Sequence, residues 1–348
     1  MTRVEARGTA QAAPRSADVA SLAGVSRKTV SRVLNNEPYV SEEVRRRVLD
    51  AAEQLGYRLN HAARALASGR NRSIGVVALG TAGYGTASLL VGIERAVRDA
   101  GYALRVVNTV DGEPEGIAGA VTSLLEQGVD GIVVSEPIVE GQVDVRVDVP
   151  LLFLGAPPAF TSARTLTVGV GAHQLARAAT EHLLDLGHTT VHHLAGPSRW
   201  YASKDRVEGW RAALAARGAE EPPLLEGDWS PASGYEAGRA LAGDDSVTAV
   251  FAAGDEMAIG LIHALREAGR RVPEDISVVG FDGNPVFAYV TPPLTTVRQP
   301  FDAAAREGIR LLVHAIEEPR TELPPVSEPP VELVVRGSTA PPPSRDGR

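Results

Sequence analysis

The stretch from Asp18 to Asn36 (DVASLAGVSRKTVSRVLNN) constrains the fold of this chain more than any other. It predicts two short helices around a tight turn, with Gly24 at the bend and Ser26 as the N-cap of the second helix. At about 100° per residue, one face of the second helix is polar and mostly basic: Arg27, Lys28, Ser31, Arg32 and Asn35. This arrangement is typical of a helix-turn-helix that reads the DNA major groove; an amphipathic hairpin without DNA contacts is the alternative.

Charge is divided unevenly along the chain. The whole sequence has a formal net charge of −8, but residues 1–72 hold 13 Lys/Arg against 7 Asp/Glu, a net of +6. The remaining residues hold 22 Lys/Arg against 36 Asp/Glu, a net of −14. A basic head on an acidic body is expected when only the head contacts phosphate groups. The charge distribution therefore favours a DNA-binding head.

The other bulk properties predict a soluble intracellular protein of two or three compact units. A chain of 348 residues, 44% of them apolar, exceeds the usual size of one domain. Because it contains no cysteine, disulfides and thiolate ligands are excluded, and we expect neither a metal site nor a cofactor. No apolar run is long enough to cross a bilayer, and the N-terminus has no secretory signal, which predicts a cytoplasmic location.

Beyond the helix pair, the sequence predicts a third helix and then an α/β body. Ser41 can cap the third helix, and Gly56 can end it. From residue 74 onward, apolar runs alternate with helical patterns, which predicts parallel sheets covered on both faces. The strand candidates are 74–79, 102–107, 131–135, 151–155, 165–170, 191–196, 249–254, 276–282 and 331–335. This length suits two doubly wound subdomains.

Further motifs follow the helix pair in a fixed order: YRLNHAARALASG, HLLDLGH, LAGP, RVEGW, GDEMAIG, DISVVGFDG, PPLTTVRQPF and LVVRGST. Together they resemble the lactose-repressor/galactose-repressor (LacI/GalR) family of bacterial transcription regulators, from about Asp18 to Thr339. The resemblance implies a three-helix head and a periplasmic-binding-protein-like body of two doubly wound parallel-sheet subdomains. It also implies a homodimer on pseudo-palindromic operator DNA, with a small-molecule effector between the subdomains.

Composition and the resemblance together predict the domain organisation. We expect a disordered tail at 1–15, a helix-turn-helix domain at 16–58 and a hinge helix linker at 59–71. An effector-binding and dimerisation domain at 72–340 and a loose tail at 341–348 follow. Within the body, the family order implies an N-subdomain of 72–167 with 300–326 and a C-subdomain of 168–297 with 327–340.

The resemblance assigns the DNA contacts. It places Arg27 and Lys28 where the family reads base edges, with Arg32 one turn further on; for Lys28, phosphate contact without specificity is an equal alternative. The residues that correspond to contacts with the DNA backbone are Ser26, Ser31 and Asn35. Tyr57 corresponds to such a contact less closely. Leu66 matches the leucine of the family's hinge helix that wedges into the minor groove. An ordinary apolar helix residue is the alternative, but its alanine-flanked position in a polar segment offers it no local core, which favours the wedge.

The resemblance also assigns the effector pocket. Arg206 matches the family arginine that grips sugar hydroxyls or an anion, and Asp282, at the end of an apolar strand, matches an acceptor of ligand hydrogen bonds. Trp229 and Trp200 lie at positions where members of the family carry different aromatic and polar groups that set ligand specificity. Packing in a core or interface is the alternative. Weaker assignments fall on Ser135, Tyr84 and Gln299.

Several positions depart from the family pattern. Arg15 and Ser16 replace a threonine and a large apolar residue, which predicts fraying at the start of the first helix, and Leu59 replaces a proline in the linker. In the pocket, the positions that differ from a galactoside binder are Gly155, Gly254, Gly85 and Thr86. These replacements leave fewer polar anchors, so the particular sugar stays undetermined.

The pattern predicts a transcriptional repressor of a carbohydrate-utilisation operon. We expect the repressor to leave its operator when a small sugar-type effector binds between the subdomains. The alternative is an effector with the opposite effect, a corepressor that strengthens DNA binding. An enzyme is disfavoured because the phosphate-binding and nucleophile motifs GxxxxGK, GxGxxG and GxSxG are absent. A transport protein would not need the basic head. With no tetramerisation helix after Thr339, we expect a dimer.

Overall fold

The computed structural model describes residues 14–34, 38–57, 70–79, 83–109, 116–135, 138, 145–155, 162, 164–169, 171–326 and 330–343. The chain divides into two compact units, Met1–Asn71 and Arg72–Arg348, which we call the head and the body. Each is described by itself. Within the described ranges, no helix is long and apolar enough to cross a membrane.

The described part of the head consists of the helices that the sequence predicts: α1 (Ser16–Ala23), α2 (Arg27–Leu34) and α3 (Glu42–Gln54). Gly24 ends α1 with a left-handed φ of 65°, a conformation that glycine adopts at little cost. Ser26 caps α2, because its Oγ accepts a hydrogen bond from Thr29 N at 3.1 Å. Ser41 caps α3 in the same way by accepting from Val44 N.

The start of α1 is better supported than its sequence predicts. Arg15 N donates to the carboxylate of Asp18 at 2.7 Å, so an acidic side chain in the first turn binds an otherwise unpaired backbone N–H. This bond opposes the fraying that the sequence predicts, which stays a prediction. The three helices enclose one small core whose buried members are Val19, Ala20, Ala23, Val30, Val33, Val48, Ala51 and Ala52.

The body begins with a parallel sheet in the order β2-β1-β3-β4-β5. Its strands are β1 (Ser73–Leu79), β2 (Ala103–Thr109), β3 (Gly131–Ser135), β4 (Leu151–Leu154) and β5 (Thr165–Val168). Two helices of the same segment are α4 (Tyr84–Asp99) and α5 (Gly116–Glu126). On β1, Val76 belongs to the apolar cluster under α4, whereas Val77 belongs to the cluster under α5. Both faces of this first sheet are therefore covered.

The second sheet has the order β11-β10-β9-β8-β6-β7, and only β11 runs antiparallel to its neighbour among the described strands. Its strands are β6 (His192–Ala195), β7 (Leu225–Glu226), β8 (Ala249–Ala252), β9 (Ser277–Asp282), β10 (Thr295–Arg298) and β11 (Glu332–Val334). The accompanying helices are α6 (Ala172–Asp185), α7 (Tyr201–Arg217), α8 (Pro231–Ala242) and α9 (Asp255–Glu267). The sequence pattern missed β7 and β10, and the α/β class with parallel sheets is confirmed.

The chain passes between the two sheets three times. It leaves the first sheet after β5, and it returns after β10 to form α10 (Phe301–Glu317). Helix α10 belongs to the first sheet, because Ile309 and Leu312 pack in one cluster with Leu89 and Ile93 of α4. The chain then crosses again to form β11. The body therefore consists of two subdomains, each with its own core.

Glycines allow α8 and α9 to pack with their backbones close together. A Cβ added to Gly260 of α9 would overlap the carbonyl of Pro231 and lie 2.9 Å from Tyr235 N, both in α8. Gly234 of α8 faces the backbone of Met257 in the same manner. A side chain at either position would force the helices apart.

We expect Gly260→Ala to lower the free energy of unfolding of the body by about 1–3 kcal/mol, because the added methyl overpacks this helix pair. Thermal and urea unfolding of the full chain would measure the loss. Gly243→Ala is the matched control, since a Cβ there meets no atom within 4 Å. Equal melting of the two variants would contradict the account of α8–α9 packing.

His193, in β6, is a core residue. Its side chain is fully buried, its ring stacks on Phe251 with centroids 4.5 Å apart, and its Nδ1 lies 2.9 Å from the Phe251 carbonyl oxygen. Burial lowers the pKa of His193 to about 3. These contacts make His193 a packing residue of the core of the second subdomain.

The buried imidazole predicts a specific acid sensitivity. Because the folded pKa lies below the unfolded value, His193 costs stability as the pH falls from about 6.5 towards 3, and leaves it unaffected above that window. Between pH 7 and pH 4, the wild type should lose about 3 kcal/mol more unfolding free energy than His193→Phe, which keeps the aromatic stack. Denaturant titrations at each pH test this difference; His263→Phe, at an exposed position, should follow the wild type.

Candidate functional site

The exposed face of α2 presents the predicted DNA contacts of the head. The described members of this face are all exposed: Ser26, Arg27, Lys28, Ser31 and Arg32. The opposite side of α2 is anchored by Val30 and Val33, which are buried in the head core. The helix therefore offers basic side chains to solvent from a rigid support. Asn35 and Leu66, two further predicted contacts, lie outside the described residues.

Two of these predicted contacts also serve the fold of the head. Ser26 Oγ is engaged by Thr29, so its hydroxyl stabilises the start of α2. Tyr57 is half-buried and packs against the head core. Their sequence signal was not specific, because a capping or packing role produces the same residue types as a contact to the DNA backbone.

In the body, a cleft of about 430 Å³ lies between the two subdomains. Tyr84, in the first turn of α4, contributes from the first subdomain, whereas α7 and the carboxyl end of β9 contribute from the second. Five of the seven predicted effector residues line it: Tyr84, Trp200, Arg206, Trp229 and Asp282. The carboxyl edges of parallel strands are where α/β proteins bind ligands, which explains this convergence.

Arg206 forms the centre of the cleft. It is 4% exposed, and its guanidinium donates to the Ala253 carbonyl and lies 3.6 Å from Asp282 Oδ1. The same group lies over two aromatic rings, 4.0 Å from the centroid of Phe281 and 5.0 Å from that of Trp229. A buried charge is stable only when it is paired and hydrogen-bonded, and these contacts supply both conditions.

Asp282 is held from several sides. It is the last residue of β9, it is 8% exposed, and Gln299 Nε2 donates to its Oδ1 at 2.6 Å. Gln299 does not line the cleft, so the structure places it as a positioning residue for the carboxylate. Asp282 also adopts a φ of 108°, which is unfavourable for a residue with a side chain. Such local strain is commonly retained at binding sites.

The two tryptophans form one wall of the cleft. Their ring centroids are 5.8 Å apart in an edge-to-face arrangement. Trp229, with a left-handed φ of 71°, is half-buried and its ring lies directly on Gly196, where any side chain would collide with it. Trp200 is 5% exposed and packs with the apolar cluster under α5 of the first subdomain. Each tryptophan therefore combines packing with exposure to the cleft.

Ser135 takes no part in the cleft. It ends β3, it is 1% exposed, and its Oγ has no hydrogen-bond partner within the described part of the chain. Two carboxylates that the sequence analysis did not single out do line the cleft: Asp228 and Glu256. Both follow the carboxyl end of a strand, β7 and β8, which is the signal that could have identified them.

Behind the cleft, Asp255 supports the loop that follows Asp282. Its carboxylate accepts hydrogen bonds from Asn284 N at 2.8 Å and Thr296 Oγ1 at 2.6 Å. Burial, reinforced by the negative charge of Asp282, raises the pKa of Asp255 well above its usual range. Among the described residues, no group of three or more His, Asp or Glu side chains is arranged to hold a metal ion.

Comparisons with known proteins cover both units. Residues 17–60 match the family described as bacterial regulatory proteins, lacI family, and residues 180–339 match a periplasmic binding protein-like domain. The transcriptional regulator CelR of Thermobifida fusca is 35% identical over 329 residues, which covers 91% of this chain and 94% of the relative. The ribose operon repressor of Escherichia coli (strain K12) is 32% identical over 332 residues, covering 92% and 98%.

Solved structures agree with these matches. A lac repressor dimer bound to operator and the anti-inducer ONPF has a TM-score of 0.74 at 30% identity, covering 93% of this chain and 98% of the other. A CelR–cellobiose complex has a TM-score of 0.68 at 31% identity, covering 93% and 99%. These relatives are transcriptional regulators and not enzymes. The chain therefore belongs to the LacI family of bacterial transcriptional regulators.

Proposed function

We propose that this protein is a sequence-specific repressor of a carbohydrate-utilisation operon that leaves its operator when a small sugar-type effector binds the cleft. The observation that carries this proposal is the buried Arg206–Asp282 pair beside Trp229. A guanidinium donor and a carboxylate acceptor, fixed side by side, match neighbouring sugar hydroxyls. The indole face suits the C–H face of a sugar ring. The CelR–cellobiose complex, a related structure, supports this ligand class.

The proposed mechanism couples two sites through the subdomains. The head (16–58) and the hinge linker (59–71) of each protomer hold one half of a pseudo-palindromic operator, and residues 72–340 form the homodimer and bind effector. The N-subdomain comprises 72–167 with 300–326, and the C-subdomain 168–297 with 327–340. Effector shifts the population towards the released state only if it binds that state more tightly.

This proposal assigns no catalytic role to any residue and places the protein in the cytoplasm, associated with the nucleoid when bound. Its first test is selection of a DNA site from a random pool at moderate salt, followed by titration of the complex with sugars, sugar phosphates and purines. Release by a sugar is the expected result. If a ligand strengthens DNA binding instead, that ligand acts as a corepressor. The absence of any selected DNA site would overturn the proposal.

The recognition face of α2 gives the second test. Arg27→Ala should weaken specific operator binding by about 1–3 kcal/mol and relax preference at one base position, because an arginine that pairs with a guanine is lost. The control is Arg46→Ala, which removes the same charge from an exposed site on α3. DNA-binding titrations at several salt concentrations separate the two. Identical losses for both variants would mean that Arg27 contributes charge without base reading.

Arg206 gives the third test. Arg206→Ala should raise the effector concentration for half-release by about 10- to 150-fold, which corresponds to a charged hydrogen bond of about 1.5–3 kcal/mol. Operator affinity without effector should change less than twofold. Arg211→Ala, on the same helix but exposed and paired with Glu221 at 2.8 Å, is the matched control. Loss of operator binding by Arg206→Ala alone would remove Arg206 from the effector site.

A further inference from the structure

The cleft has an uneven charge inventory. Of its described lining residues, three carry carboxylates and one carries a basic group: Asp228, Glu256, Asp282 and Arg206. Arg206 Nη2 lies 3.6 Å from Asp282 Oδ1, so the positive charge of Arg206 is compensated by the carboxylate of Asp282. The two remaining carboxylates have no basic side chain opposite them among the described lining residues. A ligand that enters the cleft therefore meets a surplus of negative charge.

Asp228 is held in its ionised form at one side of the cleft. Ser230 N donates to its carboxylate at 2.9 Å, and the Ser230 hydroxyl donates to the same oxygen. These bonds lower the pKa of Asp228. Asp228 and the following residue, Trp229, both line the cleft.

Glu256 connects the two walls of the cleft. It belongs to the first turn of α9 in the second subdomain, and its Oε1 accepts a hydrogen bond from Tyr84 N, at the start of α4 in the first subdomain, at 3.2 Å. The N-cap of α4 is Gly83, which supplies no side-chain acceptor. The Glu256 carboxylate therefore fills that position from across the cleft, where the helix dipole favours a negative charge.

We propose that the cleft selects its effector by charge: it accepts uncharged and amine-bearing sugars, it rejects sugar phosphates and sugar acids, and Glu256 is the specificity-determining residue. This rests on the proposed function only in taking the effector to be a sugar. Hydroxyl and ammonium groups can donate to Asp228 and Glu256, whereas a phosphate finds no free guanidinium and faces two carboxylates. Repulsion of a wrong ligand is an established way to achieve specificity.

The charge of the cleft can be measured without knowing the natural effector. Trp229 is the tryptophan that solvent reaches most easily, since Trp210 is fully buried and Trp200 is 5% exposed. Quenching by caesium and by iodide, each normalised to free tryptophan, reports the sign of the local potential, and subtraction of Trp229→Phe isolates that indole. Caesium should quench more strongly at physiological salt, where distant charges are screened.

The variants assign this effect to the cleft. Glu256→Gln and Asp228→Asn each remove one charge while keeping the shape and an acceptor oxygen, and each should narrow the difference between caesium and iodide. Glu274→Gln, at an exposed position outside the cleft, is the matched control and should leave the difference unchanged. Quenching by iodide that equals quenching by caesium, or an effect of the control equal to that of Glu256→Gln, would overturn the proposal.

Matched ligands test selectivity directly. Glucose, glucosamine and glucose 6-phosphate, and ribose with ribose 5-phosphate, are compared by thermal shift of the full chain without DNA. Binding of an uncharged or amine-bearing member in preference to its phosphorylated partner is expected, and Glu256→Gln should reduce that preference at least about fivefold, the effect of one unit charge at about 4 Å in water. A phosphorylated member that binds as tightly as its parent would overturn charge selection. Failure of the repressor proposal would show separately, as the absence of a selected operator.

Discussion

The cleft of the body depends on how Arg206 is held. Its guanidinium joins three parts of the second subdomain, because Arg206 belongs to α7, its carbonyl partner Ala253 follows β8, and Asp282 ends β9. Isolated burial of such a charge would be strongly unfavourable, so the cation and its partners must be ordered together. The rings of Phe281 and Trp229 complete the enclosure. The binding groups are consequently in position before any ligand arrives, which reduces the ordering cost of binding.

Local signals made much of this molecule predictable from sequence. The caps at Ser26 and Ser41 and the bend at Gly24 are one-turn interactions, so the residue types alone identify them. The alternation of apolar runs and helical patterns likewise predicts a doubly wound body, because a strand covered on both faces is apolar throughout. Asp282 was identifiable because it is a carboxylate at the carboxyl end of such a strand. The family resemblance added Arg206, whose importance no local pattern reveals.

What the sequence did not reveal depends on contacts between distant residues. Strand β7 has two residues, too few for any periodic pattern, and it exists because it pairs with β6. Gln299 was expected in the pocket, but it supports Asp282 from behind, a distinction that requires the register of β10 against β9. Glu256 was hidden for a similar reason, since its partner at Tyr84 lies 172 positions away.

Two of the three crossings between the sheets limit how the cleft can change shape. The first two connections, after β5 and after β10, are only a few residues long, so they cannot stretch. Tethers of fixed length prevent the two halves from separating or sliding freely and leave rotation about the tether points as the accessible motion. A ligand that alters the cleft by a small distance therefore turns one half against the other by an angle, and parts far from the tethers move furthest. A small change at the cleft thus becomes a larger displacement at the end of a subdomain that lies far from these connections.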